Sequence, residues 1–284
     1  MPFHPPVKSG AKRAGTVRGE EVTVDRESSA MVRRRLANAT RVVALTGAGI
    51  STDSGIPDFR GPNGLWTKDP EAEKMATLQH YLAEPEVRRR AWRNRSGSPT
   101  FDARPNAGHL ALTSIERAGR LHALITQNVD ELHQRAGTSP HKVIEVHGTM
   151  FRTACWGCGD ERPMAEALAR VAAGEEDPPC LVCGGILKSA TISFGQSLVP
   201  EVIDRALRCA GEADVLLAVG SSLQVYPAAN AVPRAKAGGA FVVIVNGEAT
   251  RFDATADVVL RGSISEVLPA LVDGLPVAVD AIPT

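Results

Sequence analysis

Short apolar, β-branched runs recur along the chain at 41–46, 121–126, 143–146, 215–219, 241–245 and 258–260, and most are closed by glycine, serine, asparagine or histidine. Near-continuous apolar strands of this kind suit a parallel sheet covered on both faces. Stretches with helical spacing lie between them, among them 31–39 and 201–210, so the pattern predicts an α/β fold. Two segments interrupt it. Residues 68–98 are charged and helix-prone, carry Trp92, and predict a helical excursion off the first crossover. Residues 150–194 hold two Cys-x-x-Cys pairs around a short alanine-rich helix at 165–173 and predict a small metal-binding domain. Residues 1–28, rich in proline, glycine and charge, read as a flexible tail, which leaves 29–149 and 195–276 for the main domain.

Composition narrows the function. In a chain of 284 residues, Lys+Arg and Asp+Glu both number 32, so net charge gives no general attraction to nucleic acid or to an anionic membrane. No stretch approaches the ~18 apolar residues of a membrane span, and the N-terminus lacks the order of a signal peptide. Cys155, Cys158, Cys180 and Cys183 offer four thiolates on two tight turns, the donor set of a closed tetrahedral zinc site with no position open to water. The metal is expected to hold the small domain together, and the chemistry has to lie elsewhere. Cys209 is a fifth, odd thiol, and such a set suits a reducing cytoplasm.

The ends of the apolar runs carry the candidate chemistry. Gly47-Ala48-Gly49 follows the first run directly, and Ser51, Phe59 and Arg60 follow it. Glycines there let backbone approach a pyrophosphate, with the N-terminus of a following helix beside it. The spacing is not Gly-x-Gly-x-x-Gly, and a glycine pair alone could be an ordinary turn. Gln127-Asn128-Val129-Asp130 closes the second run, where the alternative is a polar turn with Asn128 or Asp130 as a helix cap. His147 ends the third run as a general-base candidate, a context that His4, His80, His109, His122, His133 and His141 lack. Gly220-Ser221-Ser222 and Asn246-Gly247 end later runs in the same manner, and so many polar strand ends point to one shared ligand crevice.

With these phrases in place the chain resembles the sirtuins, NAD-dependent protein lysine deacylases. The segments GAGISTDSGIPDFR, TQNVDELHQRAG, EVHG, the two CxxC pairs, FG, GSSLQVYPA and VN stand in family order between about residues 41 and 272. The resemblance implies a Rossmann-like domain with a small inserted zinc-binding domain, NAD as co-substrate, one structural zinc ion and acyl-lysine proteins as partners. It implies that Gly47, Ala48, Gly49, Ser51, Phe59, Arg60 and Val129 serve the NAD site, with Gln127 and Asn128 at the nicotinamide ribose and Asp130 at the carboxamide. His147 would be the general base, with Asn128 beside it in catalysis. Gly220, Ser221, Ser222, Asn246 and Gly247 would hold phosphates and adenosine, with Ile264 near the adenine. Ile192, Phe194, Gly195, Val225 and Tyr226 would take the acyl-lysine. The implied reaction transfers the acyl group to ADP-ribose and releases nicotinamide and free lysine. The compact length and the Arg- and Ala-rich composition suit a bacterial member, and Gly64-Leu65-Trp66 is similar to a subgroup that includes mitochondrial relatives.

The chain also departs from the family pattern. Lys188-Ser189-Ala190-Thr191-Ile192-Ser193-Phe194-Gly195-Gln196 stands where relatives have Arg-Pro and end in Phe-Gly-Glu. Strand alternation there places Ile192 and Phe194 on one face and Ser193 on the other. The Tyr-x-x-Arg pair of relatives that take acidic acyl groups is absent, because Tyr81 is followed by Leu82-Ala83-Glu84, and this speaks against acidic chains. Mono-ADP-ribosyl transfer to protein would use the same NAD site and is the alternative activity. An NAD-responsive binding module is disfavoured by the base at His147.

Overall fold

The computed structural model describes residues 26–277 except Arg60, Pro62, Asn63 and Pro70; the remainder of the expected tail lies outside the described residues. Six short strands form a parallel sheet: β1 (Val42–Thr46), β2 (Leu121–Thr126), β3 (Val143–Glu145), β7 (Val215–Val219), β8 (Phe241–Val245) and β9 (Val258–Leu260). Their order is β3-β2-β1-β7-β8-β9. The chain moves outward from β1 to β2 and β3, then returns to β1's other side as β7, so β1 marks the switch point of a doubly wound, Rossmann-like sheet.

Both faces of the sheet are covered, which is why the strands are apolar throughout. In β1, Val42 and Ala44 pack into one core with Leu36, Leu112 and Leu268, while Val43 and Leu45 pack into the other with Ala210 and Val232. Each large aliphatic chain so buried contributes roughly 1.5–3 kcal/mol. The first core is roofed by helices Arg26–Asn38, Ala107–Arg117 and Ile264–Val272, and the second by Pro200–Gly211 and Ala231–Ala237. The first helix takes in five residues ahead of the expected 31–39, so Arg26 to Ser28 are helical and not tail. The third strand stops one residue before the expected end, at Glu145.

The two interrupting segments pack together. Strands β4 (Gly148–Cys155), β5 (Glu161–Pro163) and β6 (Leu187–Thr191) form an antiparallel sheet of order β5-β4-β6, with helix Met164–Ala172 against it. That helix starts and ends one residue ahead of the expected 165–173. The excursion expected over 68–98 is a series of short helices, Leu65–Lys68, Ala72–Ala76, Leu78–Ala83 and Pro85–Ser96. Its Trp92, fully buried, shares a small core with Cys155, Met164, Cys180 and Leu187. The Tyr81 hydroxyl donates to the Leu187 carbonyl at 2.9 Å, and Arg88 pairs with Asp177 at 2.7 Å. Insertion and cysteine module thus form one small lobe beside the sheet. No helix among the described residues is long and apolar enough to cross a membrane.

Candidate functional site

A cleft of about 840 Å³ opens where the sheet strands end, between the sheet and the small lobe. Its sheet-side wall holds Gly47, Ala48, Gly49 and Phe59 after β1, and Gln127, Asn128 and Val129 after β2. His147 follows β3; Gly220, Ser221, Ser222, Val225 and Tyr226 follow β7; Asn246 and Gly247 follow β8, with Ile264 at the start of the last helix. Ile192, Phe194 and Gly195 line the opposite wall. Arg60, expected at the cofactor, lies outside the described residues. Ser51 and Asp130, expected to touch the ligand, are 1% and 4% exposed and stand one layer behind the lining.

The glycines after β1 answer first to the backbone of the next loop. Gly49 N–H donates to the Gly220 carbonyl at 2.8 Å, and a Cβ on Gly49 would lie 2.9 Å from that oxygen. Gly220 itself has φ of +60°, and a Cβ on it would sit 2.4 Å from the Ile50 nitrogen. Only glycine lets the two loops meet at this distance. The helix expected after Gly47 is a 3₁₀ helix, Ala48–Ser54.

Behind the cleft wall lies a buried polar layer. Asn128 Nδ2 donates to Ser51 Oγ (3.1 Å) and to the Gly47 carbonyl (3.2 Å), and Ser51 Oγ donates to Asp130 Oδ2 (2.7 Å). The other Asp130 oxygen accepts from Leu132 N–H at 3.0 Å, so this residue also caps the following turn. Burial raises the Asp130 carboxyl pKa, opposed by the hydrogen bond from Ser51. Two histidines complete the layer: His133 Nε2 lies 2.9 Å from Thr46 Oγ1, and His109 Nε2 lies 3.5 Å from Ser51 Oγ. Their ring centroids lie 4.9 Å apart, with the planes tilted by 54°. Sequence reading passed over both; the available signals were the Asn106-x-x-His109 spacing of a capping box and the place of His133 three residues after Asp130.

These histidines tie the site to the fold's acid stability. Burial lowers the His109 pKa to about 4 and holds His133 well below the usual range, with His109 adding to the latter. An unfolded histidine titrates near 6.5, so between the two values the unfolded chain binds more protons, and stability falls as pH drops. At about pH 5 His109 alone costs about 2 kcal/mol, which lowers the thermal midpoint by about 5 °C. Calorimetric scans across this range should show that fall, and His109→Asn should reduce it.

His147 differs from these two in facing the cleft. Its Nδ1 is 3.0 Å from the Gln127 carbonyl, which can only accept, so Nδ1 carries the proton and Nε2 is left as a lone pair. Burial lowers its pKa, partly countered by that hydrogen bond. Gln127 is held in turn by donating from Nε2 to Ser221 Oγ at 2.9 Å, which links the ends of β2 and β7. On the opposite wall, Ile192 N–H donates to the His147 carbonyl at 2.9 Å. Beyond Thr191 the chain leaves the strand, and Phe194 pairs with Ala76 and Leu78 of the small lobe. Ile192, Ser193 and Phe194 therefore all line the cleft, against the alternation expected of a strand. Gln196 Oε1 accepts from Ser193 N–H at 3.2 Å and fixes this turn.

The cysteines form a separate centre. All four Sγ atoms lie within 4.8 Å of one another, with Cys155 to Cys183 at 3.4 Å and Cys158 to Cys180 at 3.7 Å. Zinc–sulfur bonds of ~2.3 Å in a tetrahedron require sulfurs about 3.8 Å apart, so the donor set fits zinc. Backbone N–H groups of Gly157, Val182 and Gly185 point at the sulfurs of Cys155, Cys180 and Cys183, as thiolate charge requires. Four protein ligands fill a tetrahedron, and the metal's contribution is to the fold of the small lobe.

Comparison with known proteins agrees with this division into a strand-end cleft and a four-cysteine lobe. Residues 47–227, which run from the first glycine of the cleft to the loop after β7, match the Sir2 family. An NAD-dependent protein deacetylase of Streptomyces coelicolor is 53% identical over 82% of this chain and 97% of its own. One from Rhodopseudomonas palustris is 42% identical over 82% and 91%. A solved structure of a Sir2 protein with p53 peptide and NAD+ superposes with a TM-score of 0.76 at 32% identity, covering 84% of this chain and 95% of that one. Sequence and fold agree over nearly the full length of these relatives, and the chain belongs to the Sir2 family.

Proposed function

We propose that this protein is an NAD-dependent protein deacetylase that removes acyl groups from lysine and releases nicotinamide and O-acyl-ADP-ribose, with His147 as its general base. The observation that carries the assignment is the state of His147: neutral, with Nδ1–H committed to the Gln127 carbonyl and Nε2 free in the cleft. NAD, when bound, supplies the electrophilic ribose carbon and the acceptor hydroxyls. The glycine loops after β1 and β7 and the Asn246-Gly247 turn offer backbone and small polar groups suited to its phosphates and riboses. Asn128, held by Ser51 and Gly47, is set to orient the nicotinamide ribose, and Ser51 and Asp130 act through it as positioning residues. Nε2 of His147 takes the proton of a ribose hydroxyl as that oxygen attacks the acyl carbon. Ile192, Phe194 and Val225 are placed to surround the acyl-lysine. The family's peptide-bearing structures and the deacetylase activity named for the relatives support this reading. Five cysteines without a disulfide among them suit a reducing, cytoplasmic compartment.

The test is purified protein with NAD and an acetyl-lysine peptide, read by nicotinamide release and peptide mass. Matched loss of acetyl and gain of nicotinamide is the expected result. Nicotinamide release with label from NAD retained on protein would replace the reading with ADP-ribosyl transfer.

A further inference from the structure

The part of the cleft proposed for the substrate carries no charge of its own. Residues 192–198 on one wall and 221–227 on the other include no lysine, arginine, aspartate or glutamate. The charged residues on the described lining belong to other elements. Asp53 and Asp58 follow β1, Glu248 follows β8, Arg95 is on helix Pro85–Ser96 and Lys188 is on β6. Between two neutral walls, a single unpaired charge at the rim dominates the local field.

Arg251, in the loop after β8, is such a charge. Its guanidinium lies 5.4 Å from the centre of the Tyr226 ring and 5.8 Å from that of Phe252. Tyr226 lines the cleft and is 47% exposed, while Phe252 packs against the second core. Other cations of this region are neutralised, Arg261 by Asp253 and Lys236 by Asp257. Arg251 forms no ion pair with any described residue, and that includes Glu248 in its own loop. A guanidinium over two aromatic rings is held by cation–π attraction, and its fork of N–H groups is left to donate.

The opposite wall also offers a donor. Gln196 Oε1 accepts from the Ser193 N–H at 3.2 Å, a group that can only donate, so the amide's NH₂ is the end left over. No described residue accepts from it, and Gln196 lines the cleft. A glutamate at this position, as relatives carry, would make the same bond with one oxygen and turn its charge toward the substrate. This chain presents N–H groups from both sides and a carboxylate from neither. An extended peptide advances ~3.3 Å per residue, so a long side chain at the rim meets residues within about two of the lysine.

We infer that this protein selects acyl-lysine sites with an aspartate or glutamate within two residues of the lysine. Arg251 pairs with that carboxylate, and Gln196 admits it where a glutamate would repel it. The inference rests on the deacylase reading, and the test separates the two.

One acetyl-lysine peptide with neutral flanks is prepared with Asp, Asn or Lys at each of the two positions on either side of the lysine. Its kcat/KM and equilibrium binding are measured with the full chain at low ionic strength. At one or more positions Asp is expected to exceed Asn by about fivefold and Lys by more, with the gap closing as salt is added. The ratio of Asp to Asn should vanish toward unity in Arg251→Gln, invert in Arg251→Glu and fall in Gln196→Glu. Taking the ratio within each variant cancels general damage to the fold. The absence of any position where Asp exceeds Asn, or a ratio unchanged in Arg251→Glu, would overturn it. If no acetyl group is removed from any peptide, the deacylase reading fails, and binding decides the groove. Tighter binding of the Asp peptide that is lost in Arg251→Glu supports the site, and equal binding of the Asp and Asn peptides overturns it.

Discussion

His147→Ala is expected to lower kcat for deacylation by about 10³-fold while the protein stays folded. On the proposed mechanism the loss falls on kcat, because the ring's free Nε2 takes the proton of the ribose hydroxyl while NAD binding draws on other loops. One zinc per chain and an unchanged circular dichroism spectrum would show that the fold is intact. The wild-type pH profile carries the same information. The base works when deprotonated, and burial sets the His147 pKa below the ordinary 6.5, so the acid limb should lie below that value and activity should be level above it. A variant within about tenfold of wild-type would remove His147 from the proton transfer.

Cys180→Ser should unmake the small lobe and, through it, the substrate wall. Cys180 is buried and shares a core with Trp92, Met164 and Leu187, so loss of its thiolate removes a zinc ligand and leaves a hydroxyl among apolar neighbours. Binding of a structural zinc contributes on the order of 10 kcal/mol, more than a lobe this small can replace by burial. The expected readouts are metal content falling from one per chain to near zero, a red shift of tryptophan fluorescence as Trp92 meets water, and at least ~100-fold less deacylation. Activity suffers because β6 leaves the lobe directly into Ile192 and Phe194. Removing zinc from the wild-type with a chelator should give the same shift, and returning zinc should reverse it. Full activity without metal would show that the lobe holds its shape by packing alone.

Much of the fold was legible because its signals are local. The sheet's strands match the predicted apolar runs to within about a residue, since a strand buried on both faces has few polar positions to blur its ends. The Cys-x-x-Cys pairs announce their metal through spacing alone. Helix boundaries were read less well. Arg26 to Ser28 belong to a helix although their composition resembles the preceding tail, and 68–98 breaks into short helices, the last begun by Pro85. The strand alternation expected through Phe194 gave way because that residue pairs with the backbone of Ala76 and Leu78, a contact that no local pattern announces.

The sequence by itself determined the fold class, the four sulfur ligands and the polar residues at the strand ends, because each depends on residues close together in the chain. Only the tertiary structure decided how those ends share their work. It set Ser51, Asp130, His109 and His133 behind the wall as a buried layer, since that layer is built across β1, β2 and the helices beside them. It also gathered Tyr81, Arg95 and Lys188 at one end of the cleft, from helices and a strand that meet only when the insertion packs on the cysteine lobe. Local spacing fixes which groups a chain carries, whereas the charge environment of a pocket depends on which distant segments their packing brings to face one another.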